Sequence, residues 1–500
     1  MYLKIKFAIP GFALFLLVTI SKLQAQCYPN QIVTAAFATG GQSPYINDVL
    51  WLTWGSANMQ THPYGRHNQP LSVGAKSHAS IHLGEGRYLC IEAEIISIAG
   101  STVNSYAPGN YSGDHLDDLY NIGGTGTNNQ LVSGIINRND NNSPRLVIKC
   151  SATLDGLPVR LAGLVVADAE SLNGTSEYIY ATADGNWTLV EVKKNIGQGA
   201  YEVRKEIVIE NGAPTSKRTM KFLKGNDNNT MAVSFLKFNE SAYNTTGANP
   251  DFSVNVNIDF KGGGKTAIAL GLLPPTVDGG DAPISYGKPL HLIQKLSFTT
   301  DGIPNVNPPS NNNNNRTNIN TTTYTAGALV ENVNLSRLGS TAPDTETISL
   351  HSADALGDDN FGPAGPLEED AWPEQYKRFS YKVNYLPGNI ISANIPYRSQ
   401  TNGYIAGWID FNGNGIFDPE EKQEAPAPAT GNSMGSVLLQ WVIPANRKPY
   451  STYVRLRLSE LPNMTPGSFL NTGEVEDHKI YILSPTVTNP MIHSKAKDNK

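Results

Sequence analysis

Only three cysteines, Cys27, Cys90 and Cys150, occur among the 500 residues. That number cannot staple a small disulfide scaffold, so a hydrophobic core has to hold the fold. Charge is sparse too: 16% of residues are Asp, Glu, Lys or Arg, and the formal net charge is −6. Basic clusters are missing, which argues against a nucleic-acid partner. Beyond Ile20 no apolar run reaches the roughly 20 residues of a transmembrane segment. Helix-favouring runs are also scarce. No amphipathic pattern of roughly 10–15 residues separates the apolar segments, which excludes βαβ units.

What is abundant is Asn, Thr, Gly and Ser, in a chain long enough for roughly two to four domains. Lys4 and Lys6 precede an apolar run from Phe7 to Ile20, and Ala25 follows as a small residue at the cleavage position. This is the pattern of a signal peptide over 1–25, with a secreted or cell-surface chain from Gln26 onward. A lipoprotein reading centred on Cys27 is disfavoured by Gln26, where a small residue is needed. Cys90 and Cys150 lie on candidate strands and could pair, which would leave Cys27 as the odd thiol; the sequence alone does not place their Cα atoms.

Strand patterns recur at 87–98, 146–154, 159–167, 187–193, 201–210, 230–238, 252–260 and 266–273. They predict an all-β fold, with a large antiparallel β-sandwich over 26–275. An irregular acidic and Asn-rich region is expected over 276–372. Within it the 304–324 run, with Asn311 to Asn315, cannot pack a core and reads as a mobile insertion. Eight acidic side chains fall between Asp344 and Asp370 without a Lys or Arg. Their repulsion keeps that segment expanded unless cations bind it. A second, smaller β-sandwich is expected over 373–484, from strands at 378–385, 389–396, 403–409, 437–443, 452–458 and 478–483. In it Val454, Leu456 and Leu458 face one way and Tyr453, Arg455 and Arg457 the other. The tail 485–500 is polar.

The densest chemical signal runs from Asp410 to Glu421. Asp410, Asn412, Asn414, Asp418 and Glu421 stand at positions 1, 3, 5, 9 and 12 of a calcium-loop window. Gly415 supplies the turn at position 6 and Ile416 a backbone carbonyl at position 7. The strand before the loop and Pro426 and Pro428 after it leave no room for the paired helices of an EF-hand. The expected cofactor is therefore a structural Ca2+ that braces a loop in a β-domain. Glu474, Glu476 and Asp477 complete this site, form a second acidic metal cluster, or sit on a solvated strand edge.

Three other patterns carry less. The Gly-rich run Gly123–Gln130 leads into a strand and lacks the phosphate-binding Lys, so nucleotide binding is rejected. Gly431-Asn432-Ser433-Met434-Gly435 leads into an apolar strand, whereas a nucleophile elbow needs a helix there. His78 and His82 lack the Glu of a zincin motif. The loop-rich stretch 101–130 is the expected ligand face. Asp117, Asp118, Tyr120, Asp168 and Glu170 are its candidate contacts, with Tyr106 and Tyr111 as further aromatic anchors.

Several stretches resemble known families. Pro108-Gly109-Asn110, the run Leu116–Gln130, Gly163–Glu170 and Trp187 are similar to the second non-repetitive domain of CshA-type surface adhesins, over roughly 35–275. That resemblance implies a lectin-like sandwich and attachment to a host or matrix ligand, which is fibronectin for the name-giving adhesin. Gly280-Asp281-Ala282-Pro283, Ser285-Tyr286-Gly287 and His291 form a GDAP-type stretch. Gly473-Glu474-Val475-Glu476-Asp477, with Gly407–Asn412 and Val454–Arg457, resembles a GEVED domain, except that His478 stands where the family usually has Tyr. The implied protein is a non-enzymatic adhesin that binds a host or matrix protein or glycan. The alternatives are a secreted carbohydrate-active enzyme using Asp168 and Glu170, or a matrix component without a specific ligand.

Overall fold

A computed structural model describes Cys27 and residues 35–486. Excepted are 55–68, 106–115, 121–133, 169–171, 173–175, 194–200, 225–230, 308–316, 320–324, 346–350, 358–368, 383–389, 445–449 and positions 85, 248, 265, 295, 333 and 344. Of the sequence-based expectations, the signal segment, the tail beyond Thr486, Tyr106, Tyr111 and Glu170 fall outside the described residues. The described chain is all-β, and its one α-helix there is the single turn Leu116–Leu119.

The first sandwich packs two antiparallel sheets. One runs in the order Lys76–His82, Tyr88–Ala99, Arg145–Leu154, Val254–Lys261, Tyr178–Lys193, Ala213–Lys224, Tyr201–Glu210. Tyr178–Lys193 then passes into the second sheet. Up to Asp184 it pairs with Ala213–Lys224, and from Gly185 with Met231–Phe238. Gly185 marks the crossover, where an added Cβ would strike the Lys237 carbonyl. Gly163–Asp168 and Ala267–Leu273 continue that second sheet. Trp187, Ile148, Leu164, Phe222 and Val256 fill the space between the sheets.

The sequence pattern missed Ala213–Lys224, because Lys217, Arg218 and Lys221 interrupt its apolar alternation. Its local signal is the Asn211-Gly212 turn, with both residues at positive φ, as a tight hairpin requires. Two short strands within the Asn/Thr-rich run, Asn305–Val306 and Thr317–Ile319, pair with Tyr201–Glu210. The described parts of that run are therefore edge strands, and backbone hydrogen bonds hold them in place.

The Cys90–Cys150 bridge that the sequence left open is not formed; Cys27 pairs with Cys90, at a Cα–Cα distance of 5.6 Å. The reason is strand parity. Cys150 sits opposite Ala93 on the core face, whereas Cys90 sits opposite Thr153 on the outer face of the same sheet. Side chains on opposite faces cannot join. Cys150 stays a free buried thiol, its pKa pushed up to about 12 by burial. Peptide mapping should find the 27–90 link, with Cys150 alkylated only after denaturation. Cys27→Ser should cost about 2–4 kcal/mol. A 90–150 peptide would refute this topology.

In the second sandwich a five-stranded sheet runs Arg378–Lys382, Glu474–Thr486, Tyr450–Ser459, Gly403–Ile409, Lys422–Ala427. It faces Ile390–Arg398 and Gly435–Val442, with Trp441, Ile395, Leu439 and Leu456 between them. Lys422–Ala427 is a strand despite Pro426. It is the edge strand, paired only with Gly403–Ile409, where a missing N–H is tolerated. The hairpin Thr276–Gly279 and Leu290–Ile293 touches both sandwiches. Val277, Leu290 and Leu292 join the first core, and Leu290–Ile293 pairs with Phe469–Leu470.

Candidate functional site

The solvent face of the first sheet carries two cross-strand rows. Asp259, Tyr180, Lys221 and Arg204 are successive partners in one, and Asn257, Thr182, Thr219 and Glu206 in the other. All of these but Arg204 line an open groove of about 640 Å³, in which Arg145 and Val147 also take part. A second depression of about 510 Å³ adjoins it through Val147 and Asn257, lined by Lys149, Asp184, Asn244 and Asn255.

Tyr178 and Tyr180 stack at 4.3 Å, and the Lys221 ammonium lies 4.4 Å from the Tyr180 ring centre. Lys221 also pairs with Glu206 at 2.6 Å, and Glu206 with Arg204 at 2.7 Å. Burial holds the Asp259 carboxyl above its usual range, against the Tyr178 hydroxyl that donates to it at 3.1 Å. Burial likewise pushes the Tyr180 phenol up to about 12. An aromatic face ringed by alternating donors and acceptors suits a hydroxyl-rich or polar extended ligand. The signal in sequence is the outward parity of Tyr180, Thr182, Asn257 and Asp259, legible only once strand register is known.

Two of the residues expected on the ligand face, Tyr120 and Asp168, lie elsewhere. Tyr120 is fully buried on the outer side of the second sheet, with Leu116, Leu119, Trp51 and Phe235. Its ring meets Trp51 edge-on at 4.8 Å, and its hydroxyl donates to Glu191 at 2.5 Å. Asp168 is fully buried at the end of Gly163–Asp168. Asp168 ends a strand covered on both faces, and Tyr120 follows the helical turn Leu116–Leu119 that packs against that sheet, so neither reaches the surface. The side chains of Asp117 and Asp118 lie outside the described residues, as does Glu170.

The Asp410–Glu421 loop is the tip of a β-hairpin between Gly403–Ile409 and Lys422–Ala427, with one 3-10 turn, Pro419–Glu421. Asp410 accepts from Gly413 N at 2.6 Å, Gly415 N at 3.0 Å and the Tyr286 hydroxyl at 2.7 Å. Glu421 accepts from Phe411 N at 2.7 Å, Asn412 N at 3.2 Å and Asp418 N at 3.0 Å. The side-chain amides of Asn412 and Asn414 both donate to Asp418 Oδ2, at 2.6 and 2.8 Å. Asn412, Asn414 and Asp418 therefore converge on one point. Ile416 is exposed at its tip. Burial, with the neighbouring Asp410 charge adding to it, raises the Glu421 carboxyl above its usual range.

Glu474, Glu476 and Asp477 are almost fully buried, which rules out a solvated edge. They divide by strand parity. Asp477 points to the outer face, where Arg455 grips it through two bonds of 2.7 and 2.6 Å. Ala282 N of the GDAP-type stretch donates to it at 2.9 Å. Gly280 lies so close that an added Cβ would stand 2.6 Å from Asp477 Oδ2. Arg457 is bonded to His291 at 2.9 Å and to the Thr465 and Ser468 carbonyls. Glu474 and Glu476 share the opposite, core-side face, where they accept from Leu338 N and Ala371 N.

Two β-sandwiches joined through a buried polar seam, the first bearing an open groove, define a modular all-β protein. Residues 47–273 match the family model of the surface adhesin CshA non-repetitive domain 2, and residues 404–481 that of the GEVED domain. The two matches stand in the order of an adhesin domain followed by a GEVED domain. No curated protein matches it in sequence. Among the described residues no helix is long and apolar enough to cross a membrane.

Proposed function

We propose that the protein is a secreted or cell-surface adhesin that holds a host or matrix protein or glycan in the groove of its first sandwich. The observation that carries this reading is the coincidence of the adhesin-family match with the residues that build the groove. The experiment is binding of the full chain to arrays of matrix proteins and glycans. Tyr180→Ala and Lys221→Ala project outward and should leave the fold intact, while weakening Kd at least about tenfold, or about 1.4 kcal/mol. Unchanged binding in both, with loss on deleting 106–115, would move the ligand to the loop face.

Calcium at the hairpin tip is the second part of the proposal, with a structural role. Bringing oxygen to the point shared with Asp418 requires a half-turn of the Asn412 and Asn414 amides, which gives up the bonds their oxygens accept from Asn414 N and Ile416 N. Asp410 and Glu421 shape the loop around it. With a dissociation constant of roughly 0.1–1 mM, about 5 mM calcium should stabilise the module by about 1–2 kcal/mol. Thermal melting with calcium or chelator measures this, and Asp418→Asn should abolish the difference. Identical melting curves, together with no calorimetric heat, would sink the calcium reading.

A further inference from the structure

We infer that Glu369, Glu476 and His478 form a divalent-metal site of the zinc class inside the C-terminal sandwich, separate from the hairpin tip. Along Glu474–Thr486, alternation sets Glu476 and His478 on the face that also bears the core residues Val454, Leu456 and Leu458. Glu369 reaches the same point from the segment leading to Trp372. All three are buried, Glu476 at 1% exposure and the other two at 5%.

Their donor atoms are spaced as ligands of one ion. His478 Nε2 lies 2.9 Å from Glu476 Oε2 and 3.6 Å from Glu369 Oε2. One donor from each residue lies within 4.8 Å of the others, and among the described residues no other His, Cys, Asp and Glu group of three meets this condition. Ligands about 2.0–2.1 Å from a tetrahedral zinc lie about 3.3 Å from one another, in the middle of the observed range.

The independent observation is an orphan. Glu476 Oε2 is engaged by Ala371 N and His478, but Glu476 Oε1 is buried without a hydrogen-bond partner. Two carboxylates set against one imidazole in an apolar core leave negative charge that a divalent cation would neutralise. Calcium fits poorly, since it takes roughly six to eight oxygens and rarely nitrogen. Zinc accepts mixed carboxylate and imidazole sets. Asp477 cannot contribute, because it is on the other face with Arg455. The ion would clasp the Glu369–Trp372 segment to the strand Glu474–Thr486.

The test unfolds the full chain in denaturant with chelator, then refolds it with zinc, manganese or calcium and removes unbound ion. The expected result is about one zinc per chain by elemental mass spectrometry, not displaced by calcium. Zinc-edge X-ray absorption should show only nitrogen and oxygen at about 2.0–2.1 Å. Glu476→Gln and His478→Gln should each lower the zinc content at least about tenfold, while Asp410→Asn leaves it unchanged. Refolded wild-type chain that retains no zinc would overturn the site, as would zinc held equally by the Glu476→Gln and His478→Gln double variant or a sulfur ligand from Cys150. If the variants do not fold, the wild-type stoichiometry and absorption spectrum decide.

Discussion

Arg455→Ala is expected to unfold the C-terminal sandwich at temperatures the wild type withstands, at a cost of about 3–5 kcal/mol. Both Arg455 and Asp477 have side chains with no solvent exposure. The guanidinium makes two bonds to Asp477 and donates to the Tyr286 and Pro466 carbonyls at 2.8 and 2.9 Å. Removing it leaves a buried carboxylate without its counter-charge and two carbonyls without donors. Arg455→Lys should recover only part of the loss, since an ammonium cannot span both oxygens. The double change Arg455→Met with Asp477→Leu should be milder than Arg455→Ala, because it removes the orphaned charge as well. Urea unfolding followed by circular dichroism measures all three. A loss below about 1 kcal/mol for Arg455→Ala would mean that water reaches the pair.

The same seam shows where sequence reasoning stops. The alternation of Val454, Leu456 and Leu458 with Arg455 and Arg457 was legible, and the structure keeps it. What could not be read was that both faces are covered. The cover on the arginine side comes from Ala282, Tyr286 and His291, some 170 residues earlier in the chain. A period of two tells inside from outside only when one side is water. Asp477 therefore looked like a candidate metal ligand and is instead half of an ion pair. The disulfide followed the same logic. Cys90 and Cys150 were placed on the right strands, but their faces depend on a register that no local pattern states. The groove was invisible for a related reason, since its two rows draw on four strands spread from Tyr180 to Asp259. The hairpin tip was the easiest to recognise, because its spacing is local.

Tyr120→Ala is expected to destabilise the first sandwich by about 3–5 kcal/mol, as for other buried aromatics cut to alanine. It should do so whether or not a ligand is present. A surface anchor would behave oppositely, losing binding and keeping stability. Tyr120→Phe keeps the contact with Trp51 and removes only the donor to Glu191, so about 1–2 kcal/mol is expected. Glu191→Gln tests the partner through pH. Burial holds the Glu191 carboxyl above its ordinary range, against hydrogen bonds from Tyr120 and Ser43. The folded state thus binds that proton more tightly than the unfolded chain does. Its contribution is favourable below the ordinary carboxylate range and is lost as pH rises through the raised value. Glu191→Gln cannot ionise, so its melting temperature at pH 7 should equal or exceed that of the wild type. The two should converge below about pH 4. A gap that widens on acidification would reverse the sign and make the ionised Glu191 a stabilising partner of Tyr120.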